Sequence, residues 1–540
     1  MTRPKSVCVF CFIIILFLFC HSIPIPPNTG ADSREDREAL FEYILAKTLE
    51  RESFSPIKNR KLQLDVLKEM HKYRDELIQA DTDEKLFYAL LKISNARKDR
   101  HLNISLVKGG IMLPQTAGVS LDRGVGEAEP ILHAPIRFSV DYGKPGQYFV
   151  FVSDFAKNIK EFTQAVLPEI GDKLSAINGQ GILEYRQLIE PYHRYSTIEG
   201  FWWKFALWIP QKSYQFPPSF YREKITISLE KKDGRRYDLV LPYLSPEKME
   251  WEGIGEQHYP GFKHLFSTQT YNLYRNTDNK KILLLDWYGF RENLVKDMDR
   301  LMDYATEHQL LDYAVIFDGT RSRGGSKGAY AIHRLSPKSF KTTFGNLRLS
   351  DIIPTFIDQK RQQYERRRIL DSGVAETIDD GTWLMEWLED DVLKGMHAGQ
   401  EYSNNVPFKL AHLPKYSDGI INPAKVHFKG PLICWFSPYG GSHLDQFASI
   451  IVDNDLGHSI GMPAGGYSNT WEWDEILVFP KSKRPVVRYM WSIGHTIRPN
   501  GEILEGNPAK VKEHIPITKE NYADYYNILL QKTYEYLGLE

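Results

Sequence analysis

The stretch 431-PLICWFSPYGGSHLDQFASIIVDN-454 predicts a strand, a tight turn and a helix in direct succession. The apolar run from Leu432 to Phe436 is typical of a buried strand, and the sequence from Pro438 to Gly441 is typical of a turn. After Ser442, apolar residues recur at the spacing of an amphipathic helix, at Leu444, Phe447, Ala448 and Ile451. Ser442 therefore lies at the corner between the strand and the helix.

A serine at such a corner has two alternative roles. Its hydroxyl can project from the end of a sheet as a nucleophile, next to helix N–H groups that are free to bind an oxyanion. It can also be an ordinary N-cap, since serine is among the preferred residues at that position. The segment alone leaves both interpretations of Ser442 open.

The composition is that of a globular protein with two or three domains. The chain has 540 residues, of which 42% are hydrophobic and 25% are charged, which fits several buried cores. The formal net charge is −1, so no overall field favours nucleic acid or an anionic membrane. The densest basic stretch, residues 361–368, is mixed with Gln, Tyr and Glu and is interpreted as a solvated helix.

Residues 1–22 are predicted to be a signal peptide. Arg3 and Lys5 precede an apolar run of 14 residues, from Val7 to Cys20, which is short for a membrane span and suits a signal-peptide core. Ser22 offers a small residue for cleavage. We therefore expect a secreted protein, or one in the lumen of the secretory pathway, with no membrane partner after cleavage. An uncleaved anchor is the alternative.

The mature chain is expected to contain no disulfide. Three of the four cysteines lie in the leader, which leaves Cys434 in the predicted strand as a small core residue. The sequon Asn103-Ile-Ser105 is a candidate glycosylation site. On a strand, Asn103 would share the face of His101. If that histidine is functional, we expect the sequon to be unused or only partly used.

The remaining chain divides by its patterns. Residues 32–100 have helical periodicity, and residues 101–245 are rich in predicted strands. From Gly171 to Gly179, a GD-x-L-x-x-I-N-G pattern resembles the middle of PDZ domains, which bind extended peptides at a sheet edge. Residues 281–317 read as a strand, an amphipathic helix and a strand, so a parallel or mixed sheet covered by helices is expected.

Three further segments carry polar residues suited to catalysis. His101 stands where a helix gives way to a strand, and histidine is the usual general base near neutral pH. Gly324 and Gly325 follow a buried strand and can present N–H groups without an obstructing side chain. Near the C-terminus, Glu502 and Glu505 could each orient an imidazole. Taken singly, the histidine is better explained as a surface or core residue and each glutamate as a solvated loop acid. The glycines alone would also suit a plain turn or, less well, a phosphate loop.

Together these motifs resemble the S41 serine peptidases, the superfamily of tail-specific and C-terminal-processing proteases, tricorn and the chlamydial protease-like factor. The resemblance spans residues 35–520, and residues 443–472 are similar to a secreted fungal subgroup. It implies an α/β fold with a crotonase/ClpP-like catalytic domain. The implied divisions are a helical segment at 32–100, a His-bearing segment at 101–134, a PDZ-like β-rich module at 135–245, the catalytic domain at 246–520 and a C-terminal helix at 521–540.

The superfamily implies two alternative catalytic arrangements. A Ser–Lys dyad would need a lysine about 25 residues after the serine, but Tyr467 occupies that position and no lysine occurs between Ser442 and Lys481. The resemblance to tricorn and the chlamydial protease-like factor instead implies a Ser–His–Glu triad of Ser442, His101 and Glu505, with Glu502 as the competing acid.

The same resemblance implies an oxyanion hole formed by the N–H of His443 and that of Gly324 or Gly325. No metal and no other cofactor is expected. The implied partner is a peptide or protein substrate, with no nucleic acid; the oligomeric state is left open.

The expected function is a secreted endopeptidase, and the resemblance implies that it processes the precursor of a fungal ribosomal peptide toxin. A catalytically silent binding protein is the rival, because retinoid-binding proteins of the vertebrate eye resemble this superfamily and fold alone does not establish activity. The aromatic run from Phe201 to Phe205, with Trp208, could line a hydrophobic site but is better explained as core packing. An esterase or lipase is disfavoured because G-x-S-x-G is missing.

Overall fold

The computed structural model describes residues 32–113, 132–251, 259–370, 382–407, 419–468 and 471–539. The signal peptide predicted for residues 1–22 lies outside these ranges. Within them, no helix is long and apolar enough to span a membrane.

Helices are concentrated at the start of the described chain and around the largest sheet. They are α1 (Arg34–Arg51), α2 (Pro56–Leu62), α3 (Val66–His71), α4 (Arg74–Ile78), α5 (Asp83–Asn95), α6 (Ile182–Ile189), α7 (Ile198–Trp208), α8 (Leu294–Glu307), α9 (Gly328–Leu335), α10 (Ile353–Leu370), α11 (Thr382–Trp387), α12 (Leu393–His397), α13 (His443–Asp453) and α14 (Tyr525–Leu537).

Strands occur throughout the rest of the chain. They are β1 (Ile104–Ser105), β2 (Leu132–His133), β3 (Ile136–Asp141), β4 (Phe149–Phe155), β5 (Lys173–Ile177), β6 (Gln180–Gly181), β7 (Gln211–Lys212), β8 (Lys224–Glu230), β9 (Arg236–Pro242), β10 (Phe262–Ser267), β11 (Tyr271–Asn276), β12 (Ile282–Trp287), β13 (Gly289–Phe290), β14 (Ala314–Asp318), β15 (Arg323–Gly325), β16 (Phe340–Lys341), β17 (Phe344–Leu347), β18 (Val406–Pro407), β19 (Ile420–Ile421), β20 (Leu432–Phe436), β21 (His458–Gly461), β22 (Glu472–Val478), β23 (Pro485–Ser492), β24 (Gly494–Ile497) and β25 (Glu513–His514).

The largest sheet has the strand order β10-β11-β12-β14-β20-β21-β25. Its first three strands are antiparallel, and each pairing from β12 onward is parallel. Strands β12, β14 and β20 are buried along their whole length, as expected of unbroken apolar runs covered by helices on both faces. The βαβ unit expected over residues 281–317 is present as β12, α8 and β14, and Cys434 is a buried residue of β20.

Helices α1 and α5 of the N-terminal segment pack on a small sheet formed by β1, β23 and β22. Helices α1, α2 and α5 begin at Ser33, Ser55 and Thr82, whose side chains accept hydrogen bonds from backbone N–H groups of the first turn. Arg51 at the end of α1 bridges to Asp351 and Glu475. The helical segment is thereby fastened to distant parts of the chain.

The β-rich region forms a six-stranded sheet in the order β3-β4-β5-β8-β9, with β6 paired to β5. The GD-x-L-x-x-I-N-G pattern becomes β5, a turn with positive φ at Asn178 and Gly179, and β6. Helix α7 carries the aromatic run, and Phe201, Trp202 and Phe205 are buried in the core.

One expectation about this region is wrong. Asn103 was expected to lie on a strand beside His101, but β1 begins only at Ile104 and both residues precede it. The alternation of side chains along a strand therefore does not place Asn103 and His101 on one face.

Candidate active site

Ser442 stands at the corner between β20 and α13 in a strained backbone conformation. Its φ is 59° and its ψ is −123°, and positive φ is uncommon for a residue with a side chain. Ser442 is the N-cap residue of α13, but its side chain makes no capping hydrogen bond. The interpretation of Ser442 as an ordinary capping serine is therefore wrong, and its hydroxyl is directed elsewhere.

Glycines make this corner sterically feasible. A Cβ on Gly441 would lie 2.0 Å from the ring of Tyr467, and one on Gly440 would lie 2.6 Å from the carbonyl oxygen of Ser322. The N–H of Ser442 donates to the carbonyl oxygen of Tyr467 at 2.7 Å. The turn between β20 and α13 is thus closed tightly against two neighbouring segments.

The hydroxyl of Ser442 meets the imidazole of His101. Oγ of Ser442 lies 3.0 Å from Nε2 of His101, although the two residues are 341 positions apart. The backbone N–H of His101 donates to Oδ1 of Asp99 at 2.9 Å, and its ring contacts that of Tyr467 edge-on at 5.2 Å. Tyr467 is also the residue found 25 positions after Ser442, where a Ser–Lys arrangement would need its lysine.

Burial keeps the imidazole of His101 in its neutral form. Burial lowers its pKa to about 4, with a smaller opposing effect from Asp99 and further lowering by Arg100 and Arg194. The ring is therefore neutral near pH 7, and a neutral imidazole that is protonated at Nδ1 accepts the Ser442 O–H at Nε2.

Glu505 lies buried in the same region, with 1% of its surface exposed. Its Oε2 accepts the N–H of Ser468 at 3.0 Å, and its carboxylate is also hydrogen-bonded by the side chain of Ser196. The Ser196 hydroxyl in turn accepts the N–H of Arg100 at 3.1 Å. Ser196 thus connects Glu505 to the segment that carries His101.

The carboxyl of Glu505 is held in a mixed electrostatic environment. Burial, followed by the charge of Asp99, raises its pKa to about 8, while Lys58 and the hydrogen bonds from Ser196 and Ser468 oppose that rise. Oε1 lies 3.5 Å from Nζ of Lys58 but accepts no hydrogen bond within the described residues. This oxygen therefore interacts with an ammonium through charge alone.

Glu502 has a different setting. Its side chain is 54% exposed and lies 3.7 Å from Arg498. Its Oε2 accepts a hydrogen bond from Asn507 at 2.9 Å, which lowers its pKa. Glu502 is thus a solvated residue at a turn, apart from the buried group around Glu505.

The glycine loop approaches Ser442 directly. A Cβ on Gly324 would lie 2.6 Å from Cβ of Ser442, so only glycine fits at this position. Gly325 has a φ of 147°, and a Cβ there would lie 1.9 Å from the carbonyl oxygen of Phe290. The structure therefore brings Gly324, Gly325, Ser442 and the first N–H of α13, that of His443, to one place.

Several residues of the site were not found from the sequence. Tyr467 and Ser468 belong to one loop that contacts Ser442, His101 and Glu505. Ser196 and Lys58 come from two other segments and have no motif of their own. Asp99 lies two positions before His101, and its proximity in sequence was the one available signal.

No protein-family model and no curated protein matches this sequence. Among solved structures, mature CPAF has a TM-score of 0.62 and 13% sequence identity, covering 92% of this chain and 96% of that chain. CPAF complexed with lactacystin has a TM-score of 0.62 and 12% identity, covering 92% and 97%. A CPAF mutant has a TM-score of 0.63 and 12% identity, covering 92% and 96%.

These similarities show the fold over nearly the whole chain. The predicted S41-type peptidase fold, a mixed α/β structure with a helical N-terminal segment, is confirmed. The fungal subgroup and the PDZ-like assignment of residues 135–245 remain predictions.

Proposed function

We propose that this chain is a serine peptidase that hydrolyses peptide bonds, with Ser442 as nucleophile, His101 as general base and Glu505 as the acid. One observation carries the proposal: Oγ of Ser442 lies 3.0 Å from Nε2 of His101, at a strained corner where the serine makes no capping bond. A nucleophile and its base within hydrogen-bond reach are the signature of activated-serine catalysis.

The chemistry follows from that geometry. Oγ of Ser442 attacks the scissile carbonyl carbon while its proton passes to Nε2 of His101. The N–H group of His443 and that of Gly324 or Gly325 bind the resulting oxyanion, an interaction that typically lowers the barrier by about 3–4 kcal/mol. The C–N bond then breaks as the imidazolium returns its proton to the leaving amine. Water releases the acyl group by the same steps, with His101 again as base.

The buried carboxylates support the charged form of the base. An imidazolium in a buried site needs negative charge nearby. Asp99 contacts the backbone of His101, and Glu505 is tied to the same segment through Ser196. We assign the acid role to Glu505 because Glu502 is exposed and paired elsewhere.

The deciding experiment combines a fluorophosphonate probe with peptide hydrolysis. Wild-type protein should be labelled once, at Ser442, and should cleave peptides, whereas Ser442→Ala should do neither. Ser449→Ala is the matched control, because Ser449 lies on the same helix α13 and its hydroxyl donates to the carbonyl oxygen of Gln446 within that helix. Cleavage by pure Ser442→Ala protein would refute the assignment.

A silent hydrophobic-ligand binder receives less support. The aromatic run on α7 is in the core, with Phe205 at 0% exposure. An apolar cavity beside Tyr214 and Tyr221 has a volume of about 150 Å³, below the roughly 300–1,000 Å³ typical of small-ligand pockets. Absence of both labelling and hydrolysis in the wild type would nevertheless favour the binder.

We also propose that the β-rich module receives substrate by strand addition. Its outer strand β9 alternates buried and exposed side chains, and α7 contacts the serine corner through the rings of Trp203 and Tyr439, 4.7 Å apart. Peptides that carry a free C-terminus should then compete with long substrates but not with short ones. Equal competition against both would remove the delivery role.

Secretion and precursor processing complete the proposal. The apolar leader at residues 7–20 supports export, and N-terminal sequencing of secreted protein should begin after Ser22. Retention of the leader would indicate an anchor. The resemblance of residues 443–472 to a secreted fungal subgroup supports a toxin-precursor substrate, which is tested by incubating the enzyme with precursor peptides encoded beside its gene.

A further inference from the structure

Helix α2 of the N-terminal segment reaches into the candidate active site. The side chain of Lys58 on this helix is 6% exposed, and its Nζ lies 3.5 Å from Oε1 of Glu505 and 4.0 Å from Oδ2 of Asp99. Asp99 and Glu505 are themselves 2% and 1% exposed. One buried ammonium is therefore shared between two buried carboxylates, and a lysine is almost never buried so deeply unless it is paired.

The backbone fixes this arrangement. Oγ of Ser55, the N-cap of α2, donates to the backbone carbonyl oxygen of Glu505 at 2.6 Å and accepts the N–H of Lys58 at 3.2 Å. Gly506 has a φ of 71°, and a Cβ on it would lie 2.4 Å from Cβ of Lys58. The start of α2 and the loop of Glu505 are thus in direct contact, which leaves the lysine little freedom to turn away.

The neighbouring Arg97 does not supply the positive charge that Lys58 gives to Asp99 and Glu505. The neighbouring cation Arg97 is engaged by Glu52, with 3.1 Å between Nη1 and Oε2. The charge of Asp99 raises the pKa values of Glu52, Glu472 and Glu505. The titratable and charged groups near Lys58, Asp99 and Glu505 include Glu52, Arg97, His101, Arg194, Glu472 and His495.

We propose that Lys58 is a positioning residue of the active site, whose ammonium favours the ionised form of Glu505 and holds the side chains of Glu505 and Asp99 in place. The inference rests on the peptidase function proposed above. It makes the N-terminal helical segment a working part of the catalytic centre, because without Lys58 two negative groups would face each other in a buried space.

The charge balance explains why a lysine suits this position. Once Glu505 has ionised, and while His101 is neutral, the two carboxylates and the ammonium sum to one negative charge. When His101 takes the proton of Ser442, the four groups sum to zero, so the step that forms the imidazolium also neutralises the cluster. Lys58 additionally opposes the rise in the pKa of Glu505 that burial and Asp99 cause.

The test is the pH dependence of kcat/KM for Lys58→Met, which keeps the volume and removes the charge. The acidic limb should move to higher pH by at least about one unit, which lowers kcat/KM on that limb about tenfold. Lys58→Arg keeps the charge and should keep the limb near its wild-type position. If Lys58→Met does not fold, Lys58→Gln is measured instead.

Lys61→Met is the matched control. Lys61 lies on the same helix and contacts the same loop, but at the carbonyl oxygen of Gly506 and at Oδ1 of Asn507. Its loss should leave the limb in place. A limb that does not move in Lys58→Met, or that moves equally in Lys61→Met, would overturn the proposal.

A second readout does not depend on hydrolysis. One unit above the pKa of about 8 for Glu505, the infrared spectrum of Lys58→Met should show a protonated carboxyl band that the wild type lacks. The band should vanish in the double variant Lys58→Met/Glu505→Gln. Its absence from Lys58→Met refutes the role of Lys58. If the wild type is inactive but the band is present in Lys58→Met, only the peptidase function is refuted.

Discussion

The imidazole of His443 accepts a hydrogen bond at Nε2 from the backbone N–H of Gly328, with 2.6 Å between the two nitrogens. The same ring contacts that of Phe290 edge-on at 5.0 Å, and Phe290 borders Gly325. Burial lowers the pKa of His443 to about 3, so the ring stays a neutral acceptor. The residue whose N–H is assigned to the oxyanion hole thus also ties the glycine loop to the serine corner.

His443→Leu should lower kcat more than it changes KM. It leaves the N–H of Gly328 buried without its acceptor, which costs about 1–3 kcal/mol, and releases the loop that carries Gly324. His443→Gln, which can still offer an acceptor, should be less affected. Steady-state kinetics and urea unfolding of both variants check this. A stability loss with unchanged kcat would mean that the ring supports the fold and not the catalysis.

Ser442 should show both chemical necessity and backbone strain. Ser442→Ala should lose peptidase activity by about 10⁴-fold or more while retaining its circular dichroism. Ser442→Gly should also be inactive but unfold at a higher temperature than Ser442→Ala, because glycine relieves a positive φ that costs about 1–3 kcal/mol. Equal unfolding temperatures would show that the corner is unstrained.

Substitution of Glu502 and of Glu505, which lie in one loop, should have very different effects on turnover. Glu505→Gln should reduce turnover about 100-fold or more, since loss of the orienting acid is severe in a triad. Glu502→Gln is the natural control on the same loop and should stay within a few-fold of wild type. If the exposed Glu502 proved to be the sensitive residue, the triad would stand with a different acid. If neither mattered, Ser442 and His101 would work as a dyad.

The acidic limb of the kcat/KM profile should lie above the ordinary pKa of histidine. His101 is already neutral above about pH 4, whereas Glu505 ionises only near pH 8. The apparent value belongs to the coupled cluster. Rates measured from pH 5 to 10 in buffers of constant ionic strength test this, and a limb centred below pH 6 would contradict it.

Stability should respond to pH in two opposite ways. The contribution of His101 is present above its unfolded pKa of 6.5 and is lost as the pH falls through about 4. The contribution of Glu505 is present below its unfolded pKa of 4.5 and is lost as the pH rises through about 8. The free energy of unfolding of Glu505→Gln, measured in urea, should therefore rise relative to that of the wild type between pH 4.5 and 8. A constant difference would contradict the raised pKa.

Local sequence patterns predicted the parts of the site that are built locally. The apolar run from Leu432 to Phe436 and the helical spacing after Ser442 placed the corner correctly. The buried face of a strand or helix determines the spacing of its apolar residues, and that spacing can be seen within the element's own sequence. The short strand β1 was different. It has two residues and is defined by pairing with Tyr489 and Arg488, so its start could not be read from the sequence around Asn103.

Contacts between segments far apart in the sequence could not be predicted from such local patterns. Ser55 bonds to Glu505 across 450 positions, and nothing in the composition of α2 marks Lys58 as buried. A lysine on a short, polar helix is ordinarily solvated. Its burial follows from how the helical segment packs against the loop of Glu505, which is a property of the whole fold.

The pairing of β1 with β23 has a consequence for biosynthesis. The proposed base, nucleophile and acid are at positions 101, 442 and 505, and the strand that follows His101 pairs with residues 488–489. At a synthesis rate of about 5–20 residues per second, the ribosome needs roughly 20–80 s after making His101 to reach Glu505. During that interval the nascent chain lacks Glu505 and the β23 partner of β1. The proposed active site therefore cannot assemble, or cleave peptides, until the segment that contains them has been translated.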